Sequence, residues 1–463
     1  MPFRDECGVF GIIPQAEAHR HTYLGLYALQ HRGQEAAGIC SRGPEGLTLH
    51  KGQGYVADVF TQEVLDRLEG DAAIGHTRYS TTGGNVASAA HPFLIHGRFG
   101  QVALCHNGNL TNSEALRQRL IEAGHTFTSP SDSEVILALV NRAEAADLEG
   151  AVVEALSQVE GAYSLLILFE KGLIAARDPL GFRPLAIGRM GEAWVFASET
   201  CAFDLVGAEY LREVEAGEIV VADAAGLRSR QSRGQVQALP CVFEHVYFSR
   251  PDSLVFGRSV MATRRAMGRF LARRHGVPAD LVVPVPDSGV HAALGYAEES
   301  GLPFDFGLIR NHYVGRTFIE PKQSIRSFGV KVKLNPAREL LRDKRVVLVD
   351  DSIVRGTTSK KIVQMVRAAG AREVHMRISS PPTTHSCFYG IDTPTREQLI
   401  AARQSVAEIA RFIEADTLGY LALEDLEQAV EDPLHGRGFC YACFTGVYPV
   451  DPGGLRASAS CGP

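Results

Sequence analysis

No stretch of the sequence approaches the roughly 20 consecutive apolar residues that a membrane-spanning helix needs, which argues against a helical membrane protein. Its first residues, Met1 to Glu6, are charged and lack the apolar core of a secretory signal. Internal repeats and low-complexity segments are absent, so a solenoid array is not expected. The formal net charge is only −6, too small to draw nucleic acid or an anionic membrane surface in general. One basic run, Arg264-Arg265 to Arg273-Arg274-His275, has the spacing of a solvated helix face. Nine cysteines are too few and too scattered for a disulfide scaffold. They read as thiols or metal ligands in a reducing cytoplasm. What is present is ordinary globular composition, 45% hydrophobic and 22% charged, in a chain of 463 residues that is long enough for two or three domains.

The most informative stretch is Val346-Val347-Leu348-Val349-Asp350-Asp351-Ser352-Ile353-Val354-Arg355-Gly356-Thr357-Thr358. Four aliphatic residues in a row, closed by a turn signal, predict a strand buried on both faces of a parallel sheet. Two adjacent carboxylates at its end repel each other and need a counter-charge or sugar hydroxyls. Ser352, Gly356, Thr357 and Thr358 can offer N–H groups and hydroxyls to a phosphate at the start of a helix predicted over 359–369. The Gly-Lys-Ser/Thr ending of a Walker A loop is missing. A plain strand, turn and helix with a solvated acidic pair is the simpler alternative.

This stretch resembles the fingerprint of type I phosphoribosyltransferases. The resemblance implies that Asp350 and Asp351 hold the ribose hydroxyls and the metal side of phosphoribosyl pyrophosphate (PRPP). It places the 5-phosphate on Ser352, Arg355, Gly356, Thr357 and Thr358. A predicted strand over 281–285 leads into Pro286-Asp287-Ser288-Gly289, a small turn through which backbone N–H groups can approach a diphosphate. The same resemblance gives Asp287, Ser288 and Gly289 to pyrophosphate, with Ser288 also beside Mg2+. A long Arg/Lys-rich segment, from Arg310 to Leu334, reads as a lid. Its cations include Arg316, Arg326, Lys331 and Lys333.

Earlier in the chain come Glu6-Cys7-Gly8-Val9-Phe10-Gly11, Gln30-His31-Arg32-Gly33, Gly75-His76-Thr77-Arg78, Cys105-His106-Asn107-Gly108 and Ser131-Asp132-Ser133-Glu134. Each alone is weak, because a near-terminal cysteine is often a core residue and Ser-Asp-Ser-Glu is often a helix cap. Together they resemble the glutaminase domain of class II glutamine amidotransferases, the N-terminal-nucleophile (Ntn) hydrolases. That family implies loss of a leader, Met1 to Glu6, and exposure of Cys7 as nucleophile. A free α-amine, with a reference pKa of about 7.7–8.0, would then serve as its base. By position, Arg78 grips the glutamine α-carboxylate and Asp132 the α-ammonium. Asn107 and the N–H of Gly108 form the oxyanion hole. His31, His76, His91 and His106 are expected in hydrogen-bonded structural roles. Cys40, Cys105 and Cys201 are expected in the core. Arg177 to Pro184 and Ala197-Ser198-Glu199 read as turns that support that core.

Near the far end, Cys440-Tyr441-Ala442-Cys443 could be a redox pair, a zinc half-site or chance. Cys241 and Cys387 bring the thiols in that half to four, enough for zinc or an iron–sulfur cluster, and spacing does not choose. Cys461 lies in the Gly/Pro/Ser/Ala-rich tail.

Taken together, the motifs resemble the amidophosphoribosyltransferase family from Cys7 to about Val450. The resemblance implies a two-domain α/β and α+β fold. An αββα Ntn glutaminase domain spans 7–235, a phosphoribosyltransferase α/β domain with a parallel sheet spans 236–450, and a tail covers 451–463. It implies transfer of the glutamine amide nitrogen to PRPP in purine synthesis, with Mg2+ as cofactor. It also implies a [4Fe–4S] cluster on Cys241, Cys387, Cys440 and Cys443, because the branch with a cleaved leader carries that cluster. A cytoplasmic homotetramer inhibited by purine nucleotides is expected. Two alternatives stay open. One is another amidotransferase with the same glutaminase half, such as a glucosamine-phosphate synthase. The other is a PRPP-sensing regulator with an inactive glutaminase half.

Overall fold

The computed structural model describes residues 7–79, 87–232, 237–311, 333–431 and 438–453, with Leu455. The expected leader 1–6, the boundary at residue 235, the cations Arg316, Arg326 and Lys331 of the expected lid, and Cys461 lie outside the described residues.

Strand Gly8–Ile13 shows how the first half is layered. Side chains alternate across a strand. Phe10 and Ile12 therefore pack with Ala18, Leu26 and Ala28 of helix Ala18–Ala28 on one face. Val9 and Ile13 face the other way, against Ala103, Cys105, Leu166 and Leu168 of a second sheet. Strand Gly8–Ile13 lies inside a seven-stranded antiparallel sheet, between Ala193–Ala197 and Ala72–Arg78. The facing sheet has six strands, with Gly100–Leu110 between Phe93–Gly97 and Gly161–Phe169. Its outer face, including Val102 and Leu104, is covered by helices Asp132–Arg142 and Leu148–Leu156. The result is helix, sheet, sheet, helix.

The second half is built on a four-stranded parallel sheet in the order Leu281–Pro284, Arg345–Asp350, Glu373–Ile378, Thr417–Tyr420. The run Val346 to Val349 is fully buried. Val346 and Leu348 pack toward helices Thr357–Ala368 and Val406–Ile413. Val347 and Val349 pack toward helices Val260–His275 and Val290–Ser300. Each such side chain contributes about 1.5–3 kcal/mol through burial. Both faces being covered explains why the strand is an unbroken apolar run.

Several predicted limits shift. Apolar spacing in the sequence predicts a helix over 134–145, but helix Asp132–Arg142 starts two residues earlier, because the Ser131 side chain accepts from the Ser133 N–H at 3.3 Å and caps it. The sequence predicts a helix over 257–275, but helix Val260–His275 starts three residues later, because Leu254–Val255 first pairs with Arg258–Ser259. The helix after the acidic pair is Thr357–Ala368, two residues earlier than predicted. In the basic run, Arg265, Arg269 and Arg273 are solvated and pair with Glu298 and Glu299. Arg264 breaks that pattern. It is buried and donates to the carbonyls of His245 and Ser249, both at 2.8 Å.

Candidate functional site

Cys7 precedes the first strand at the edge where Gly8 pairs with Thr77, so it stands beside Arg78. Its thiol lies 3.6 Å from the Tyr79 carbonyl. Both Cys7 and Arg78 are buried. The next residues tie the strand down: Val9 N–H donates to Ser198 Oγ at 3.0 Å. Strand Gly100–Leu110 crosses from the other sheet at the same end. The His76 ring meets the His106 carbonyl at 2.9 Å, one residue before Asn107. The side-chain nitrogen of Asn107 is buried and has no hydrogen-bond partner among the described residues. Such an orphaned donor calls for an explanation. Gly108 has φ +145°, and a Cβ there would run into the Ala162 carbonyl, so only glycine fits. Asp132 opens its helix, accepts from Leu110 N–H at 2.9 Å and lies 3.7 Å from His106 Nδ1.

The histidines sort by their surroundings. The rings of His91 and His106 both meet Ser133 Oγ, at 2.8 and 2.9 Å. Burial holds His76 neutral, down to about 3, and pushes His91 well below its usual value. They are therefore packing and hydrogen-bonding groups rather than bases. Burial also pushes Cys40 up to about 12 and Cys105 well above the usual thiol range, so neither offers a thiolate near neutral pH.

Arg183 and Glu199, expected in supporting turns, instead join a buried ion network with Arg32. Arg32 Nε donates to the Cys7 carbonyl at 3.0 Å, and its Nη1 to Glu199 at 2.6 Å. His31 also meets Glu199, at 2.7 Å. Burial opposes ionisation of Glu199, but His31 and Arg32 outweigh it and hold the carboxyl at about 2 instead of 4.5. A depressed carboxyl adds stability above its unfolded pKa and loses it as pH falls through its folded one. We therefore expect Glu199 to add on the order of 3 kcal/mol above pH 4.5, fading as pH falls toward 2. Urea unfolding at stepped pH should show a steeper acid loss in wild type than in Glu199→Gln. Equal slopes would refute this. The sequence hides the network because Arg32 lies 167 and 212 residues from its partners Glu199 and Glu244. The one available clue was charge placed beside glycine, in Arg32-Gly33 and Gly181-Phe182-Arg183.

In the second half, the ends of two neighbouring parallel strands meet. Ser288 Oγ donates to Asp351 Oδ2 at 2.5 Å, so the small turn and the acidic pair face each other. Ser352 Oγ also donates to Asp351, and Asp350 accepts the Asp351 N–H at 2.9 Å. Asp350 and Asp351 are only 8% and 4% exposed. Burial raises both carboxyls, and for Asp350 repulsion from Asp351 adds to it. The pair therefore favours a cation or hydroxyl donors. Gly289 presses on the Val349 carbonyl, where a side chain has no room. Asp287 is exposed and pairs with Arg310. Gly356, at φ +75°, turns the chain into helix Thr357–Ala368, whose first turn is free of any side-chain cap. Arg355 reaches outward to Gln398 at 3.1 Å. Strands Leu308–Arg310 and Leu334–Pro336 pair, with Lys333 just outside them.

The four cysteines of this half converge. Cys241 and Cys440 form a parallel bridge. The Cys443 carbonyl accepts from Thr384 and His385 N–H groups, both at 3.0 Å, just before Cys387. Burial first, then Cys241, Cys440 and Cys387, raise the Cys443 thiol. The Tyr389 N–H points at Cys387 Sγ, 3.4 Å away. Phe182 and Tyr389 pack among them. Among the described residues no three His, Cys, Asp or Glu side chains are arranged for a metal ion. Four gathered thiols are a donor set that can hold zinc or an iron–sulfur cluster.

The two halves touch at strand Gly100–Leu110. Asn109 Nδ2 donates to the Phe388 carbonyl at 2.9 Å. A Cβ on Gly390 would lie 3.0 Å from Gly108 Cα.

Comparison with known proteins matches both halves. The glutamine amidotransferase domain family matches residues 76–204, and the phosphoribosyl transferase domain family matches residues 261–379. Amidophosphoribosyltransferase 1, chloroplastic, of Arabidopsis thaliana is 52% identical over 97% of this chain and 79% of its own length. Amidophosphoribosyltransferase of Bacillus subtilis is 50% identical over 96% and 94%. The solved structure of glutamine PRPP amidotransferase from B. subtilis, complexed with ADP and GMP, superposes with a TM-score of 0.91 at 49% identity. It covers 96% of this chain and 98% of that one. About half the residues are shared with these relatives along nearly the whole length, and this chain belongs to the amidophosphoribosyltransferase family.

Proposed function

We propose that the protein transfers the amide nitrogen of glutamine to PRPP, giving 5-phosphoribosylamine, glutamate and pyrophosphate, the first committed step of de novo purine synthesis. The observation that carries the glutaminase half is the buried, unpartnered Asn107 amide, on a strand that reaches the end of the sheet holding Cys7. Cys7, freed of residues 1–6, attacks the glutamine amide carbon. Its own α-amine takes the thiol proton. Arg78 and Asp132 bind the α-carboxylate and α-ammonium. Asn107 and the Gly108 N–H receive the developing oxyanion, a contribution of about 3–4 kcal/mol per donor. Ammonia leaves, and water hydrolyses the thioester to glutamate.

In the second half, Asp287, Ser288 and Gly289 bind the diphosphate. Ser352, Arg355, Gly356, Thr357 and Thr358 bind the 5-phosphate, where the uncapped helix start favours an anion. Mg2+ held by Asp350, Asp351 and Ser288 supplies positive charge for the leaving diphosphate, and hard carboxylate oxygens suit that ion. Cys241, Cys387, Cys440 and Cys443 hold a [4Fe–4S] cluster. The domains run over 7–235 and 236–450. The enzyme works as a homotetramer in a reducing cytoplasm, and purine nucleotides inhibit it. The ADP and GMP in the B. subtilis structure support that last point. No helix among the described residues is long and apolar enough to cross a membrane.

Glutamine hydrolysis measured with and without PRPP tests the function. We expect hydrolysis that rises with PRPP and releases pyrophosphate. Hydrolysis indifferent to PRPP would favour a different acceptor, and PRPP binding without hydrolysis would favour a regulator. Intact mass with iron analysis of anaerobically purified protein should show loss of 1–6 and about four iron atoms per chain. Zinc instead of iron would refute the cluster.

A further inference from the structure

Three charged side chains that the reaction above does not use are wholly buried where the two halves meet: Arg32, Arg183 and Glu244. Glu244 comes from the second half, in a single π-helical turn, Glu244–Phe248. Such turns recur at functional sites. We propose that Glu244 is a positioning residue of the glutaminase reaction: this one carboxylate sets the nucleophile and the oxyanion strand relative to each other, through Arg32 on one side and Arg183 on the other.

On the nucleophile side, Glu244 takes both outer nitrogens of Arg32, Nη2 at 2.7 Å and Nη1 at 3.0 Å. The third nitrogen, Nε, donates to the Cys7 carbonyl at 3.0 Å. A guanidinium is a rigid plane, so gripping one edge fixes where the other donates. The orientation of Cys7 is thereby referred to Glu244. Glu199 shares Arg32 Nη1 with Glu244, so both carboxylates hold the guanidinium from its outer edge.

On the oxyanion side, Arg183 Nη1 lies 3.6 Å from Glu244. Its Nε and Nη2 donate to the Tyr389 carbonyl, at 3.0 and 2.7 Å. Tyr389 stands between Phe388, whose carbonyl holds Asn109, and Gly390, which lies against Gly108. Glu244 itself is held in place. Ser249 Oγ donates to it at 2.6 Å, and buried Arg264 ties the carbonyls of His245 and Ser249 to helix Val260–His275. Two guanidiniums and two carboxylates balance, so the cluster needs no outside ion. Neutralisation alone would not require the two arginines to end on Cys7 and on the loop beside Gly108.

This inference rests on the glutaminase reading of the Cys7 site. The test is Glu244→Gln in the full-length protein, which keeps the shape and removes the charge. Product formation is measured with glutamine and with ammonium chloride as nitrogen source. Misplacing a reacting group by about 1 Å can cost about a hundredfold. We expect kcat with glutamine to fall at least about tenfold, KM for glutamine to change less than about twofold, and ammonia-supported synthesis to stay near wild type. Ser249→Ala, which removes only the hydrogen bond to Glu244, should show the same split more weakly, and it serves if Glu244→Gln does not fold. An unchanged kcat, or a parallel loss of both activities in the folded variants, overturns the proposal. Wild-type protein without glutaminase activity would instead refute the reading of the Cys7 site.

Discussion

Cys7→Ala is expected to lower glutamine-dependent product formation by at least about a thousandfold, while ammonia-supported synthesis stays within about twofold of wild type. No other thiol in the first half can take over. Cys40, Cys105 and Cys201 are buried, and burial raises each of them. The substitution should also spare the fold. Cys7 precedes its strand, and its thiol lies a long 3.6 Å from the Tyr79 carbonyl. The Arg32 bond uses the Cys7 backbone carbonyl, which alanine keeps. Steady-state assays with the two nitrogen sources decide the matter. Glutamine-dependent turnover in the alanine variant would remove Cys7 as nucleophile. A loss of ammonia-dependent turnover as well would show that Cys7 does not act in the glutaminase half alone.

The second large effect is expected at Asp351. Asp351→Asn should reduce synthesis at least about a hundredfold with either nitrogen source. Both Asp351 oxygens accept hydroxyl protons, one from Ser288 and one from Ser352. An asparagine has one acceptor oxygen, so one of the two hydroxyls loses its partner and the small turn loses its fixed relation to the acidic pair. The negative charge that a magnesium-bound diphosphate sugar requires is lost too. Stability should move the other way or not at all, because burial already disfavours charge at Asp351. A melting midpoint at or above wild type, together with lost turnover, is therefore the expected pair of results. Turnover within about tenfold of wild type would rule out the proposed role.

Some features were legible because they depend on local pattern. Val346 to Val349 is apolar at every position, and only a strand covered on both faces uses such a run. The acidic pair follows it directly, so its place at the carboxyl edge of the sheet came with the strand. The alternating faces of Gly8–Ile13 carry the same logic for a sheet stacked on another sheet. Helix limits were off by two or three residues where a cap or a two-residue ribbon, rather than apolar spacing, set the start. Arg264 shows a deeper limit. Its neighbours have the spacing of a solvated face, yet it turns inward to two backbone carbonyls.

The amino-acid sequence alone determined the buried parallel strand, the order of the motifs and the residue types each reaction needs. These follow from side-chain periodicity and from chemistry carried within a few residues. The tertiary structure decided which buried charges meet. Arg32 finds Glu199 and Glu244 across 167 and 212 residues, and the Cys387 to Gly390 loop comes to rest on strand Gly100–Leu110. A buried charge is stable only beside its partner, and nothing local in the chain names that partner.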